Sequence, residues 1–246
     1  MRYAGPLALA LTLSCVGCGE DGDRTLTVLA AASLTSTFSD LAEEFEAAHE
    51  GVEVRLVLDS SATLARMAAD GAPGDVLATA DRRTMDEARD AGGTRGLPVE
   101  FASNVIVLVV PRDNPADIDV LSDLDRAGVD YLTCVPTAPC GAAARSLLDR
   151  NGIDREPVSQ EVDVRAVLGK VGAGEADAGL VYRTDVTAAA GSVRGIPVPG
   201  AEEEPNTYWV AVTAEAEQKD LARDWVELLT GADGKAVLRT AGFGTG

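Results

Sequence analysis

Histidine occurs once in the 246-residue chain, at His49, and lysine three times, at Lys170, Lys219 and Lys235. A single imidazole leaves little material for the acid–base pairs and His-rich metal centres that most enzyme classes use. Basic charge is scarce as a whole, since 21 Lys and Arg stand against 40 Asp and Glu for a net charge of -19. That balance excludes the broad basic face needed for nucleic acid or an anionic membrane surface, and its long-range field also repels small anions. Cysteine is limited to four residues and aromatics to 4% of the chain. What is plentiful is ordinary core: 46% hydrophobic and 25% charged residues exclude the disordered and collagen-like classes. The length suits one large or two modest domains.

The chain opens with Met1, Arg2 and Tyr3, an apolar run from Ala4 to Leu13, and then LSCVGCGEDGD. A short basic start, an apolar run too short to span a bilayer and small residues before a cleavage point make a signal-peptide pattern over residues 1–17. The Cys after Gly17 resembles the lipobox of bacterial lipoproteins. That implies Cys18 as the first mature residue, acylated on its thiol, with residues 18–24 as an acidic, Gly-rich tether to the outer face of the cytoplasmic membrane. Cys15, preceded by Ser14, is the competing acylation point, and plain secretion is the other reading. No other apolar segment reaches membrane-spanning length.

The Cys-x-x-Cys spacing of Cys15 and Cys18 therefore falls in the signal segment and is set aside as a metal or redox motif. Cys134 and Cys140 remain, on either side of a Pro-containing loop. In an oxidising compartment they most simply form a disulfide, with two free thiols as the alternative. So short a closed loop adds only ~2 kcal/mol by chain entropy, so its main effect is to stiffen the turn.

From Thr25 onward strand-like and helix-like runs alternate, which predicts an α/β fold with largely parallel sheets. Strands are expected at Leu26–Ala30, Val52–Leu58 and Asp75–Ala80, the second with Val52, Val54, Leu56 and Leu58 on one face. Helices are expected around Leu34, Phe38, Leu41 and Phe45, at Thr63–Asp70, and from Arg82 to Ala91 with a Gly92–Gly93 stop. Val105–Val110 opens a second set, with strands at Tyr131–Val135, Leu180–Tyr182 and Ile196–Val198. Its helices are expected near Ala142–Arg150, Val164–Val171 and Thr184–Ala190. The acidic, Pro-flanked residues 199–206 read as a return linker, followed by a strand at Tyr208–Thr213, a long helix from Ala214 to Leu229 and a short closing helix. Residues 25–101 and 206–246 thus form domain I and residues 102–205 domain II, joined by a hinge of two crossovers.

Three junctions share one design, in which a strand ends in small residues before a helix begins: Ser33 after the first strand, Ser61 after the second, Cys140 after Val135. Ligands of open α/β sheets bind outside the strand carboxyl ends, and helix N-termini there present unpaired N–H groups with partial positive charge. Several converging N-termini make a site for a small anion. Plain N-capping is the alternative reading for Ser33 and for Ser61.

The stretches TVLAAASLTSTFSDLAEEFE, SSATLARMAADGAPGDVLATAD and EVDVRAVLGKVGAGEADAGLVYRTDV, with the closing GFG, resemble in order and spacing the periplasmic molybdate-binding proteins of ABC importers. The resemblance covers nearly the whole mature chain. It implies a two-domain periplasmic-binding-protein fold of the type II kind, each domain a mixed, mostly parallel sheet flanked by helices. It also implies an oxyanion held by two Ser, by backbone N–H groups of two loops in the second domain and by a Tyr hydroxyl, with no direct protein–molybdenum bond. Carried over, these are Ser33 of AASL, Ser61 two before the Thr of TLA, Cys140 before the loop Gly, Val164 of DVR and Tyr182 of the VY motif. Ala62 departs from the pattern, where a third Ser would stand, and Cys140 replaces a frequent Ala. If the contact is the Cys140 N–H, its side chain is free to bond Cys134.

Each of these groups donates, and none is a carboxylate, so the set suits a fully deprotonated tetrahedral dianion and penalises a protonated one such as phosphate. Without the resemblance, Tyr182 also reads as a core-edge Tyr, and Asp163 and Arg165 as a helix cap or a hinge pair. His49 lies at the far end of the helix that Ser33 begins, roughly 24 Å away at 1.5 Å per residue, which excludes a direct Ser33–His49 pair. The expectation is therefore a monomeric binding protein, not an enzyme, that captures molybdate, and tungstate too, without a cofactor and without nucleic acid. It would deliver the anion to an ABC permease. Sulfate or another oxyanion in the same fold is one alternative and an extracytoplasmic Ser hydrolase another. Cutting at residue 17 removes only Arg2 from the charge count and leaves -20, so the site expected is one without Lys or Arg.

Overall fold

A computed structural model describes Met1 and residues 24–246. The signal segment, Cys15, Cys18 and the tether up to Asp23 lie outside the described residues. Two five-stranded sheets organise the chain. The first lobe begins with β1 (Arg24–Ala31), a 3-10 turn at Ala32–Leu34 and α1 (Thr35–Ala48). It continues through β2 (Val52–Asp59), α2 (Ser61–Ala69), β3 (Val76–Thr79), α3 (Arg82–Asp90) and β4 (Thr94–Asn104). The second lobe holds β5 (Ile106–Pro111), β6 (Tyr131–Cys134), α4 (Pro139–Arg150), β7 (Ser159–Glu161), α5 (Val164–Gly172), β8 (Ala178–Tyr182), α6 (Arg183–Ala188) and β9 (Val193–Pro197). The chain then returns to the first lobe as β10 (Asn206–Thr213), α7 (Lys219–Thr230) and α8 (Ala232–Thr240).

The sheet orders are β2-β1-β3-β10-β4 and β7-β6-β8-β5-β9. Both are mixed, with parallel pairing where βα units succeed one another (β1 with β2 and β3, β6 with β7 and β8) and antiparallel pairing around β10 and β5. The parallel share is thus half of the pairings, smaller than a largely parallel sheet, because the strands next to the crossovers run back against their neighbours. β4 ends at Asn104, which is in register with Asn206, the first residue of β10. The first crossover accordingly falls at Val105 rather than after residue 101, and both crossovers leave the first sheet side by side.

Leu34, Phe38, Leu41 and Phe45 recur at spacings of four, three and four and are all buried, as their periodicity requires. They pack with Phe101, Tyr208, Trp225 and Phe243 on one face of the first sheet, while α2 and α3 cover the other, packing Leu64 and Met85 against Leu29 and Leu77. The second lobe has its own core, built on Val105–Val110, Tyr131, Val167 and Leu180. Buried Asp75 ties the first lobe together: one carboxylate oxygen accepts the Thr27 N–H at 2.8 Å and the other the N–H groups of Glu217 and Gln218 at 2.9 and 2.8 Å.

Those last two bonds correct the expected start of the long helix. They hold residues 214–218 as a turn, and α7 begins at Lys219 instead of Ala214. Leu58 is 37% exposed instead of sharing the buried face of Val52, because β2 is an edge strand whose burial on this face falls away from Val52 through Val54 and Leu56. Two strands carry no clear signal in the sequence. β4 contains Gly96 and Pro98 and shifts register twice against β10, which scrambles its alternation. β7 is three polar residues on an edge.

Candidate functional site

The carboxyl ends of β1, β2 and β6 and the loop before α5 meet where the two lobes face each other. They border a small cavity of ≈ 20 Å³, far below the roughly 300 Å³ at which pockets for organic ligands begin. All five residues singled out in the sequence line it: Ser33 and Ser61 from the first lobe, and Cys140, Val164 and Tyr182 from the second. Ser60 lines it too and was not anticipated. Its N–H is turned onto the Asp59 carboxylate at 2.6 Å, and it is the residue that precedes α2.

Neither anticipated serine caps its helix, because no side-chain cap bond occurs at the start of the 3-10 turn or of α2. Instead the Ser61 hydroxyl oxygen accepts the N–H of Ala80 at 2.9 Å. The Ser33 hydroxyl pairs with that of Tyr208, also at 2.9 Å. Ser61 heads α2, and with no capping side chain its N–H and those after it have no intrahelical partner.

On the second lobe, α4 begins at Pro139 with no side-chain cap, so the N–H groups of Cys140 and Gly141 are the first free donors of that helix. Cys134 and Cys140 form a disulfide, with Cα atoms 5.8 Å apart, and it closes the loop that delivers the Cys140 N–H. The loop is so tight that a Cβ on Gly141 would sit 2.0 Å from the carbonyl oxygen of Val135, which only glycine tolerates. Val164 heads α5. Asp163 lines the cavity but folds its carboxylate back to accept the Ala166 N–H at 2.9 Å, which makes it a helix cap. Arg165 does not line this cavity, and no Lys or Arg does.

Tyr182 ends β8 fully buried, and its hydroxyl has no hydrogen-bond partner among the described residues. Burial pushes its ionisation well above the usual tyrosine range, so it stays a neutral O–H donor. A buried hydroxyl without a partner costs ~1–3 kcal/mol, which a ligand oxygen would recover. Three residues on, burial raises the Asp185 carboxyl to about 7, opposed by the Tyr182 N–H that it accepts at 2.9 Å and by the charge of Arg165.

A wider groove of ≈ 570 Å³ begins at Ser33 and runs on past Asp40, Glu44, Arg165 and Asp185. With three carboxyl groups on its walls it is a poor place for an anion. His49 stacks on Phe45 at 4.0 Å, its Nδ1 is 2.8 Å from the Phe45 carbonyl and its Nε2 is 3.6 Å from Asp224. The chain's one imidazole is therefore engaged away from every cavity serine.

The two lobes are in contact around the cavity. Arg83 of α3 donates to the carbonyl of Thr137, inside the disulfide loop, at 2.9 Å. Asn104 at the end of β4 donates to Thr184 of α6 at 2.7 Å. These bonds join the two lobes on either side of the cavity.

Residues 26–244 match the family model described as bacterial extracellular solute-binding protein. The molybdate-binding protein ModA of Mycobacterium tuberculosis is 38% identical over 97% of this chain and 96% of its own length. The Escherichia coli molybdate-binding protein ModA is 28% identical over 95% and 94%. Among solved structures, the periplasmic molybdate-binding protein of Azotobacter vinelandii superposes with a TM-score of 0.78 at 23% identity, covering 89% of this chain and 98% of that one. A match over nearly the whole described chain, joined to a cavity between two hinged lobes, establishes that the chain belongs to the bacterial extracellular solute-binding proteins.

Proposed function

We propose that this binding protein captures molybdate, and tungstate with it, outside the cytoplasmic membrane and hands it to an ABC permease. The observation that carries the reading is the donor set of the cavity. The hydroxyls of Ser33, Ser61 and Tyr182 and the N–H groups of Ser33, Ser61, Cys140 and Val164 are its ligands in this proposal. They come from both lobes and include no cationic side chain. A tetrahedral dianion supplies acceptors on every side, whereas a protonated oxyanion would bring an O–H with no acceptor to meet it. The identity of 38% to a molybdate-binding relative over 97% of the chain supports this choice of anion.

Hydrogen bonds to a charged partner contribute roughly 1.5–3 kcal/mol each, so seven supply on the order of 10–20 before anion dehydration and lobe closure are subtracted. Nanomolar to micromolar affinity follows. The metal is cargo, reached only through its oxygens. The protein acts as a monomer and without a cofactor. The acylated residue is Cys18, and mass spectrometry of the mature amino terminus checks this, since an unmodified residue there would overturn the anchor.

Calorimetric titration of the mature protein with molybdate, tungstate, sulfate and phosphate tests the assignment. Heat with the first two and none with phosphate is expected. Heat with sulfate alone would reassign the ligand, and no heat with any of the four would end the anion reading.

A further inference from the structure

Ser33 has a partner that the ligand set does not include. Tyr208, the third residue of the return strand β10, is fully buried, and its hydroxyl lies 2.9 Å from that of Ser33 and 3.5 Å from the amide nitrogen of Asn104. Asn104 is itself 1% exposed. Its orientation is determined by its surroundings, because its amide oxygen accepts the N–H of Val105 at 3.0 Å, which only an oxygen could do. The amide nitrogen then faces Thr184 Oγ1 at 2.7 Å and Tyr208 Oη at the longer 3.5 Å, with one N–H for each.

We propose that Tyr208 and Asn104 are positioning residues of the anion site: Asn104 donates to Tyr208, Tyr208 donates to Ser33, and the Ser33 proton is thereby left to point at the anion. The order follows from proton counting. Asn104 Nδ2 has no acceptor capacity, so Tyr208 Oη must accept there, and its single proton is left for Ser33 Oγ. In the reverse order the Tyr208 proton could turn only towards the neighbouring Tyr182 hydroxyl, with which it makes no hydrogen bond of good geometry, and this costs more than the forward order. Ser61 reaches the same state by a shorter route, since the N–H of Ala80 occupies its oxygen and leaves its proton free. Both serines are thus set as donors before any ligand arrives. Preorganised donors of this kind strengthen binding without reorganisation on ligand entry. The amide that starts the relay is held by Val105, at the crossover, and by Thr184, on the second lobe, so the setting of Ser33 is tied to the hinge.

The inference rests on the proposed oxyanion reading, and a double-mutant cycle separates the two. Molybdate is titrated calorimetrically into the wild-type protein, Tyr208→Phe, Ser33→Ala and the double variant, with Ser61→Ala combined with Tyr208→Phe as the reference. Tyr208→Phe keeps the ring and is expected to weaken binding by roughly tenfold. In the Ser33→Ala background the same change should alter affinity by less than about twofold, whereas with Ser61→Ala the two losses should multiply. A merely structural Tyr208 would lower affinity equally in every background, and that outcome, or wild-type affinity in Tyr208→Phe, would overturn the relay alone. Absence of binding by the wild-type protein would overturn the oxyanion reading and the relay with it. Should Tyr208→Phe fail to fold, Asn104→Ser runs the same cycle from the other end of the relay. Its expected loss is about threefold, again confined to proteins that retain Ser33.

Discussion

In the first lobe the proposed donors are the hydroxyls of Ser33 and Ser61, each hydrogen-bonded within its own lobe, together with the N–H groups of the same two residues. In the second they are main-chain N–H groups of Cys140 and Val164, presented by helix starts, with the single hydroxyl of Tyr182 beside them. The two halves therefore differ in what a substitution can reach. A side-chain donor is lost with its side chain. A main-chain donor survives replacement of its own residue and fails only when the backbone around it moves. In the second lobe that backbone is held by a disulfide, by Pro139 at the first helical position, by the Asp163 cap and by the close approach at Gly141.

The sharpest way to break this contrast is Gly141→Ala. A Cβ 2.0 Å from the Val135 carbonyl must displace backbone, so stability should fall by upwards of ~4–5 kcal/mol and anion binding should vanish in calorimetry. Chemical denaturation of the free protein measures the first effect, and a stability close to wild type would show that the loop is not the rigid element described.

Asp185 is the next largest effect and the one carboxyl that braces the second lobe's hydroxyl donor. Its folded-state pKa of about 7 lies above that of an unfolded Asp. Its contribution to stability is therefore complete below about pH 4 and is lost as pH rises towards 7. Asp185→Asn keeps an acceptor for the Tyr182 N–H and removes the titration. Relative to wild type the variant should gain roughly 4 kcal/mol between pH 4 and pH 8, read from urea midpoints across that range. Parallel stability curves for the two proteins would rule out a raised Asp185.

Ser61→Ala probes the first lobe directly and should weaken molybdate binding by roughly 1.5–3 kcal/mol with little change in fold. Unaltered affinity would reduce Ser61 to a structural acceptor for Ala80. The smallest effect on binding is expected for the paired change Cys134→Ala with Cys140→Ala. It removes ~2 kcal/mol of chain-entropy stabilisation but leaves the Cys140 N–H position its donor, so affinity should stay within a few-fold of wild type. A loss as large as that of Ser61→Ala would mean that the disulfide, and not the helix start, places the donor.

What was legible in the sequence follows the same division. Helix faces such as Leu34, Phe38, Leu41 and Phe45, and the small-residue junctions before helices, are local patterns, and Ser33, Ser61 and Cys140 sit on such junctions, whereas Val164 and Tyr182 came only from the family resemblance. Residues 92–104 defeated the periodicity because Gly96 and Pro98 interrupt a strand whose pairing is with β10, a hundred residues later in the chain. The start of α7 was misplaced for a similar reason, since a carboxylate 142 positions earlier, Asp75, terminates the turn before it. Tyr208 and Asn104 carried no motif at all. A hydroxyl in an apolar strand beside a linker was the only hint, and its meaning depends on a contact with Ser33 that spans 175 positions.

The sheet order bears on how the protein is made. β10 lies between β3 and β4 in the first sheet, yet it is synthesised after the whole second lobe. The second lobe is one continuous stretch whose ends emerge side by side at Asn104 and Asn206, so it can close on its own. The first lobe must wait for β10 with an unfilled slot in its sheet and β3 lacking a partner on one side. Until β10 arrives, the amino-terminal lobe exposes a strand edge open to pairing with a chaperone or with another copy of the chain.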